Sequence, residues 1–82
     1  MIAPTIKSLL ATENLKRTDA AAALGITAQA MSNKYNRDSF SAEDLLKVAT
    51  AAGYNLEFMR KRDGYTITFP GPVDDQDKQK TE

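Results

Sequence analysis

Apolar residues follow two rhythms along this chain. Ile6, Leu9 and Leu10 recur at the spacing of one helix face, and so do Leu45, Val48, Ala49 and Ala52 with Leu46 beside them. From residue 55 the period changes. Tyr65-Thr66-Ile67-Thr68-Phe69 alternates apolar and polar and is rich in β-formers. The helical part divides further at its punctuation. Pro4 suits a first helical turn, where its missing N–H costs nothing, so a first helix is predicted from about Pro4 to Thr12 or Glu13. Asn14 can take a left-handed conformation at its end, and Leu15 is expected to be buried as the chain turns.

Alanine-rich Arg17 to Leu24 is a second helix of high propensity. Gly25 lets the chain leave that helix without a Cβ penalty, and Thr27 can cap a third helix from Ala28 to about Tyr35. Asn36 to Phe40 reads as a loop with one aromatic anchor. Ser41 and Asp44 stand at capping-box spacing, and Glu43 and Asp44 put negative charge at the positive end of a fourth helix that Gly53 stops. Asp63-Gly64 is a two-residue hairpin signal between strands at 55–60 and 65–69. Such a turn sets Arg62 opposite Tyr65, Arg60 opposite Ile67 and Phe58 opposite Phe69; a longer loop from Lys61 to Gly64 shifts this register by a residue. The predicted fold is mostly α: four short helices with a helix-turn-helix, followed by a C-terminal β-hairpin. Residues 1–69 form one domain with its hairpin at 54–69, and 70–82 form a polar, disordered tail.

Within the helix pair, Leu24, Ile26 and Met31 face a shared core and small Ala21 marks a close crossing. Ala28, Gln29, Ser32 and Asn33 are left on the outer side of the third helix. The run Leu24-Gly25-Ile26-Thr27-Ala28-Gln29-Ala30-Met31-Ser32-Asn33-Lys34, with Asn36-Arg37-Asp38 after it, resembles the lambda-repressor-like (Cro/C1-type) helix-turn-helix family. The resemblance continues through residues 41–53. Three positions depart from the family pattern. Ala20 stands where a larger apolar residue is common, and Lys34 where an apolar or aromatic one is usual. Lys16 replaces the usual Ser/Thr cap. Lys34 is expected to lay its stem on apolar surface with its charge in water.

The resemblance implies a regulator of transcription, a repressor of phage or mobile-element type, that binds double-stranded DNA and acts by steric block. In the family, the positions of Ala28, Gln29 and Asn33 commonly face bases, and that of Arg17 contacts DNA. The residues themselves suit those roles. Gln29 and Asn33 each carry the donor–acceptor pair that matches adenine in the major groove, and their four-residue spacing puts them on one face. Ala28 can touch only a thymine methyl, and Ser32 could reach a base or a phosphate. Arg17, Thr27, Lys34, Asn36 and Arg37 are candidates for phosphate contact, which supplies affinity and register. A merely solvated polar face is the alternative for each.

Charge is split in a way that fits this reading. Net charge is zero over 82 residues, which alone argues against a nucleic-acid binder. Yet residues 1–37 hold five basic and two acidic residues, a net of +3, while residues 38–82 hold six basic and nine acidic, a net of −3. The chain has no cysteine and no histidine, so disulfides and the commonest metal ligands and general bases are missing. Asp74, Asp75 and Asp77 lack the glycine and late glutamate of a calcium loop and read as a solvated tail. No enzyme activity and no cofactor is expected. Without a signal-peptide pattern or a long apolar run, the expected place is the cytoplasm, with no membrane partner.

The hairpin needs its own reason, because a lone two-stranded hairpin is marginal in water. Leu56, Phe58, Tyr65, Ile67 and Phe69 give it more apolar surface than solubility requires. Two uses compete: one face packs on the first and fourth helices of its own chain, or hairpins from two chains meet and make a homodimer. An antitoxin or other regulator acting mainly through a protein partner is the alternative function.

Overall fold

The computed structural model describes residues 1–70; the polar tail at 71–82, with its three aspartates, lies outside the described residues. The helix boundaries follow from capping side chains and left-handed residues. Helix α1 spans Ala3–Thr12 with Pro4 in its first turn, and Asn14 follows it at φ 61°. Helix α2 spans Arg17–Leu24. Lys16 has no capping side chain to offer, but Asp19 accepts from the Lys16 backbone N–H at 2.8 Å. Gly25, at φ 73°, turns the chain, and the Ile26 N–H donates to the Ala21 carbonyl at 3.0 Å. Helix α3 spans Ala28–Arg37 and is capped by Thr27, whose hydroxyl accepts from the Ala30 N–H at 3.0 Å. Helix α4 spans Ala42–Ala52. The capping box forms with aspartate in place of glutamate: Ser41 accepts from the Asp44 N–H and Asp44 from the Ser41 N–H, both at 3.0 Å.

Helix α3 is two residues longer than the sequence suggested. Asn36 and Arg37 belong to its last turn rather than to a loop. The left-handed residue is Asp38, at φ 53°, and a distant partner holds it there. Its carboxylate accepts from the backbone N–H groups of Ile2 and Ala3 at 2.8 to 3.2 Å. The residue that ends α3 therefore caps α1.

The core is Ile6, Leu10, Ala20, Ala21, Met31 and Val48, with Leu9, Leu15, Leu24, Ile26, Tyr35, Phe40 and Leu45 packed around it half-buried. Met31 is the one large side chain wholly enclosed. Helix α2 lies against α3 and α4, and its two buried alanines, Ala20 and Ala21, permit the close approach. The small size of Ala20 leaves a trace: a cleft of about 100 Å³ opens beside it, lined by Leu10, Leu15, Val48 and Ala51.

Strands β1 (Glu57–Met59) and β2 (Thr66–Thr68) pair antiparallel, with Phe58 opposite Ile67. The two-residue turn does not form; the longer loop from Lys61 to Gly64 does, and it shifts the register by two residues rather than the one expected. The Arg60 N–H donates to Tyr65 O at 2.7 Å and the Gly64 N–H to Arg60 O at 2.8 Å, so the loop is the four residues 61–64. Asp63 explains the choice. Its carboxylate takes the Arg60 guanidinium at 2.9 and 3.0 Å and the Tyr65 N–H at 3.1 Å, bonds that draw it across the loop. The partner of Phe58 moves by two residues, from Phe69 to Ile67. A two-residue shift keeps every side chain on its face, whereas a one-residue slip would have inverted the ribbon.

Leu56, Phe58, Tyr65, Ile67 and Phe69 thus share one face, with Glu57, Met59, Thr66 and Thr68 on the other. The helices do not cover that apolar face. Phe58 is 68% exposed, Ile67 62% and Tyr65 59%. Only the root is tied down: Tyr54 donates to the Glu13 carboxylate at 2.7 Å, and the ribbon itself closes there with the Phe69 N–H donating to Leu56 O at 2.8 Å. Beside the root, α1 and α4 leave an apolar groove of about 360 Å³ lined by Leu9, Leu45, Val48, Tyr54 and Leu56 among others.

Candidate nucleic-acid interface

The glycine turn after α2 and the threonine cap before α3 set the two helices at an angle, with Met31 pointing inward. That leaves the opposite side of α3 in solvent. Gln29 and Asn33 are exposed and touch, the Gln29 amide donating to the Asn33 side-chain oxygen at 3.4 Å. Asn36 continues the same face one turn on and is exposed, as is Arg37. Ala28 and Ser32 lie at the half-buried flank of this face. The result is a polar strip of side-chain amides with both donors and acceptors, the inventory that reads base edges in a major groove.

Arg17 is the first residue of α2 and is exposed; its charge bears on Tyr35, in the second half of α3. Burial pushes the Tyr35 phenol up, and Arg17 partly offsets that rise. Thr27 is exposed, with its hydroxyl engaged as the α3 cap.

Lys34 differs from its expected setting. Its ammonium is not left in water. It lies 2.9 Å from the Asp44 carboxylate and 3.4 Å from the Ser39 carbonyl, above the Phe40 ring. The half-buried pair ties α3 to the first turn of α4. Burial raises the Asp44 pKa, but the Ser41 N–H and the Lys34 ammonium outweigh it and hold the group below its ordinary value. A family position that usually carries an apolar residue is here filled by a neutralised ion pair.

Three residues that the sequence did not single out border the strip. Lys7 of α1 stands over the Tyr35 ring, 5.0 Å from its centroid, and Asp38 anchors α1 beside them. Lys7 was visible only as one term in the charge of residues 1–37. Tyr35 falls four residues after Met31, on the core side, and Asp38 has partners that no local spacing announces. Of the hairpin residues, Phe58, Tyr65 and Ile67 are exposed, and Leu56 and Phe69 half-buried. Among the described residues, no carboxylate cluster could hold a metal ion, and no helix is long and apolar enough to cross a membrane.

Comparison with known proteins bears on this arrangement. The "Repressor protein CI" of Enterobacteria phage phi80 is 36% identical over 63 residues, covering 77% of this chain. The chain spans only 27% of that relative's length. No solved structure matches. Residues 5–65 match the bacteriophage CI repressor helix-turn-helix domain, a stretch that contains both helices of the turn, the amide strip and the first strand of the hairpin. With most of its length matched, the chain belongs to the bacteriophage CI repressor helix-turn-helix family.

Proposed function

We propose that this chain is a DNA-binding repressor that reads double-stranded DNA sequence-specifically with α3 and acts by occluding the site it binds. The exposed strip Gln29–Asn33–Asn36 on the second helix of a repressor-family helix-turn-helix is the observation that carries this reading. Gln29 and Asn33 read bases, with Ala28 and Ser32 at the edge of the contact. Arg17, Thr27, Asn36 and Arg37 hold phosphates on either side. Lys34 is assigned to the α3–α4 tie instead, because moving it to a phosphate would strand the Asp44 carboxylate. Repression of this kind needs neither cofactor nor catalysis, and it operates in the cytoplasm, where the DNA is.

The experiment is selection of bound duplexes from random sequence, followed by affinity measurement on the selected site and on mixed-sequence DNA. Gln29→Ala or Asn33→Ala is expected to cost about 1–3 kcal/mol on the selected site and to relax one base position. Equal losses on both duplexes would remove these residues from the reading role.

The hairpin supports a second part of the proposal, that the working unit is a homodimer. One reading helix spans few base pairs, and two-fold related half-sites about 34 Å apart raise affinity for related motifs. The exposed Phe58, Tyr65 and Ile67, flanked by half-buried Leu56 and Phe69, make a face that is large for a solvated ribbon, and a second copy of the same ribbon is its natural complement.

A further inference from the structure

Lys7 and Tyr35 form a cradle at the C-terminal end of the polar strip on α3. The Lys7 ammonium stands 5.0 Å from the centre of the Tyr35 ring, on α1 and α3 respectively. The charge of Arg17, on α2, also bears on this tyrosine and partly offsets the rise that burial causes. Neither Lys7 nor Arg17 forms an ion pair among the described residues. The Tyr35 hydroxyl has no hydrogen-bond partner among them and is not sealed from solvent. The acid next to this cluster, Asp38, has both carboxylate oxygens occupied by the N–H groups of Ile2 and Ala3.

The location connects the cradle to the reading face. Lys7, Tyr35 and Asn36 line one open cleft of about 390 Å³ together with Pro4 and Asp38. Asn36 also stands on the α3 face that carries Gln29 and Asn33, so the cleft begins where the strip ends. A ligand with several acceptor oxygens and a negative charge suits a cation, a hydroxyl donor and an amide donor.

We propose that Lys7 and the Tyr35 hydroxyl hold one phosphodiester of the bound duplex at the C-terminal end of α3. The assignment rests on the DNA-binding reading above. Lys7 supplies charge and Tyr35 a directed O–H donor, while the tyrosine ring keeps the lysine stem in place through the cation–π contact. The cradle reads no base; it sets how deep and at what angle α3 enters the groove.

Affinity for a short mixed-sequence duplex, measured in the full chain over a range of salt, tests this. Lys7→Gln is expected to lower the slope of log affinity against log salt by about 0.9, one phosphate's worth of counterion release, and Lys7→Arg to restore it. Tyr35→Phe keeps the ring and removes only the donor. It is expected to leave the slope unchanged and weaken binding roughly tenfold on selected and mixed sequences alike, the size of a hydrogen bond to a charged group. An unchanged slope for Lys7→Gln overturns the proposal, and so does an unchanged affinity for Tyr35→Phe. If the unmutated chain binds duplexes while Lys7→Gln behaves identically, the cradle fails alone. If the unmutated chain binds no duplex, the DNA-binding reading fails with it.

Discussion

Met31 in the helical body is wholly enclosed, while Phe58 on the hairpin, of comparable apolar area, is 68% exposed. Both stand on the apolar face of an amphipathic element. The difference lies in what lies opposite. Met31 meets α1, α2 and α4, whose own stripes converge on it; Phe58 has only Ile67 across the ribbon and Phe69 diagonally, at 5.2 Å between ring centres. Four helices close one core without help. The ribbon cannot, because two short strands have a single side to bury and no third layer among the described residues covers it. An apolar pattern therefore announces that a face will be buried, and is silent on whose surface will do it.

Substitution on each side measures this contrast directly. Met31→Ala removes the centre of the closed core and is expected to cost about 2–5 kcal/mol in denaturant unfolding, enough to unfold much of so small a domain. The ribbon is expected to respond in the opposite manner. Phe58→Ser with Ile67→Ser should keep the helical circular dichroism signal and lie within about 0.5 kcal/mol of the parent's monomer stability. It should sediment as a monomer and lose tight binding to a two-fold site. Should the pair unfold the chain, the hairpin belongs to the same core as Met31 and the contrast collapses. A parent protein that is itself monomeric at high concentration would likewise send the search for the dimer surface elsewhere.

Smaller effects sharpen the picture of the body. Ala20→Val adds methyl groups toward the cleft beside Leu10, Leu15 and Val48, and is expected to stabilise by about 0.5–2 kcal/mol as a cavity-filling change. A loss would show that the α2–α4 approach is too tight to give. The Asp44 network sets the acid limit. Its folded pKa is depressed below the ordinary 3.8, so its stabilisation is complete above that value and disappears as pH falls through the lower folded value. Lys34→Met is expected to make stability less sensitive to acid in that window without abolishing the dependence, since the Ser41 N–H still holds Asp44. An acid profile identical to the parent's would remove Lys34 from the network.

How far sequence reasoning reached follows the same line between local and distant. Gly25, the Thr27 cap and the Ser41–Asp44 box each depend on residues within a few positions, and each was legible. So was the adjacency of Gln29 and Asn33, which four-residue spacing dictates. The end of α3 was not, because Asp38 is held by N–H groups 35 and 36 positions away. Lys34 carried no sign of its partner ten residues on. The hairpin register turned on three hydrogen bonds to one carboxylate, against a dipeptide rule that treats Asp63 as a turn former only. Lys7 and Tyr35 meet because α1 packs on α3, a contact that periodicity in either segment does not specify.

The clasp between Asp38 and the start of α1 has a practical side. Because that carboxylate grips the backbone of Ile2 and Ala3, the first residues are delivered to the C-terminal end of the reading helix. Anything fused ahead of Met1 would emerge at the rim of the proposed groove. A polyhistidine or acidic affinity tag placed there would sit among the phosphates and distort measured binding, raising or lowering apparent affinity by its own charge rather than by recognition. A tag cleaved away before titration avoids this artefact, and comparing the tagged and cleaved forms would itself report how near that end of the chain comes to DNA.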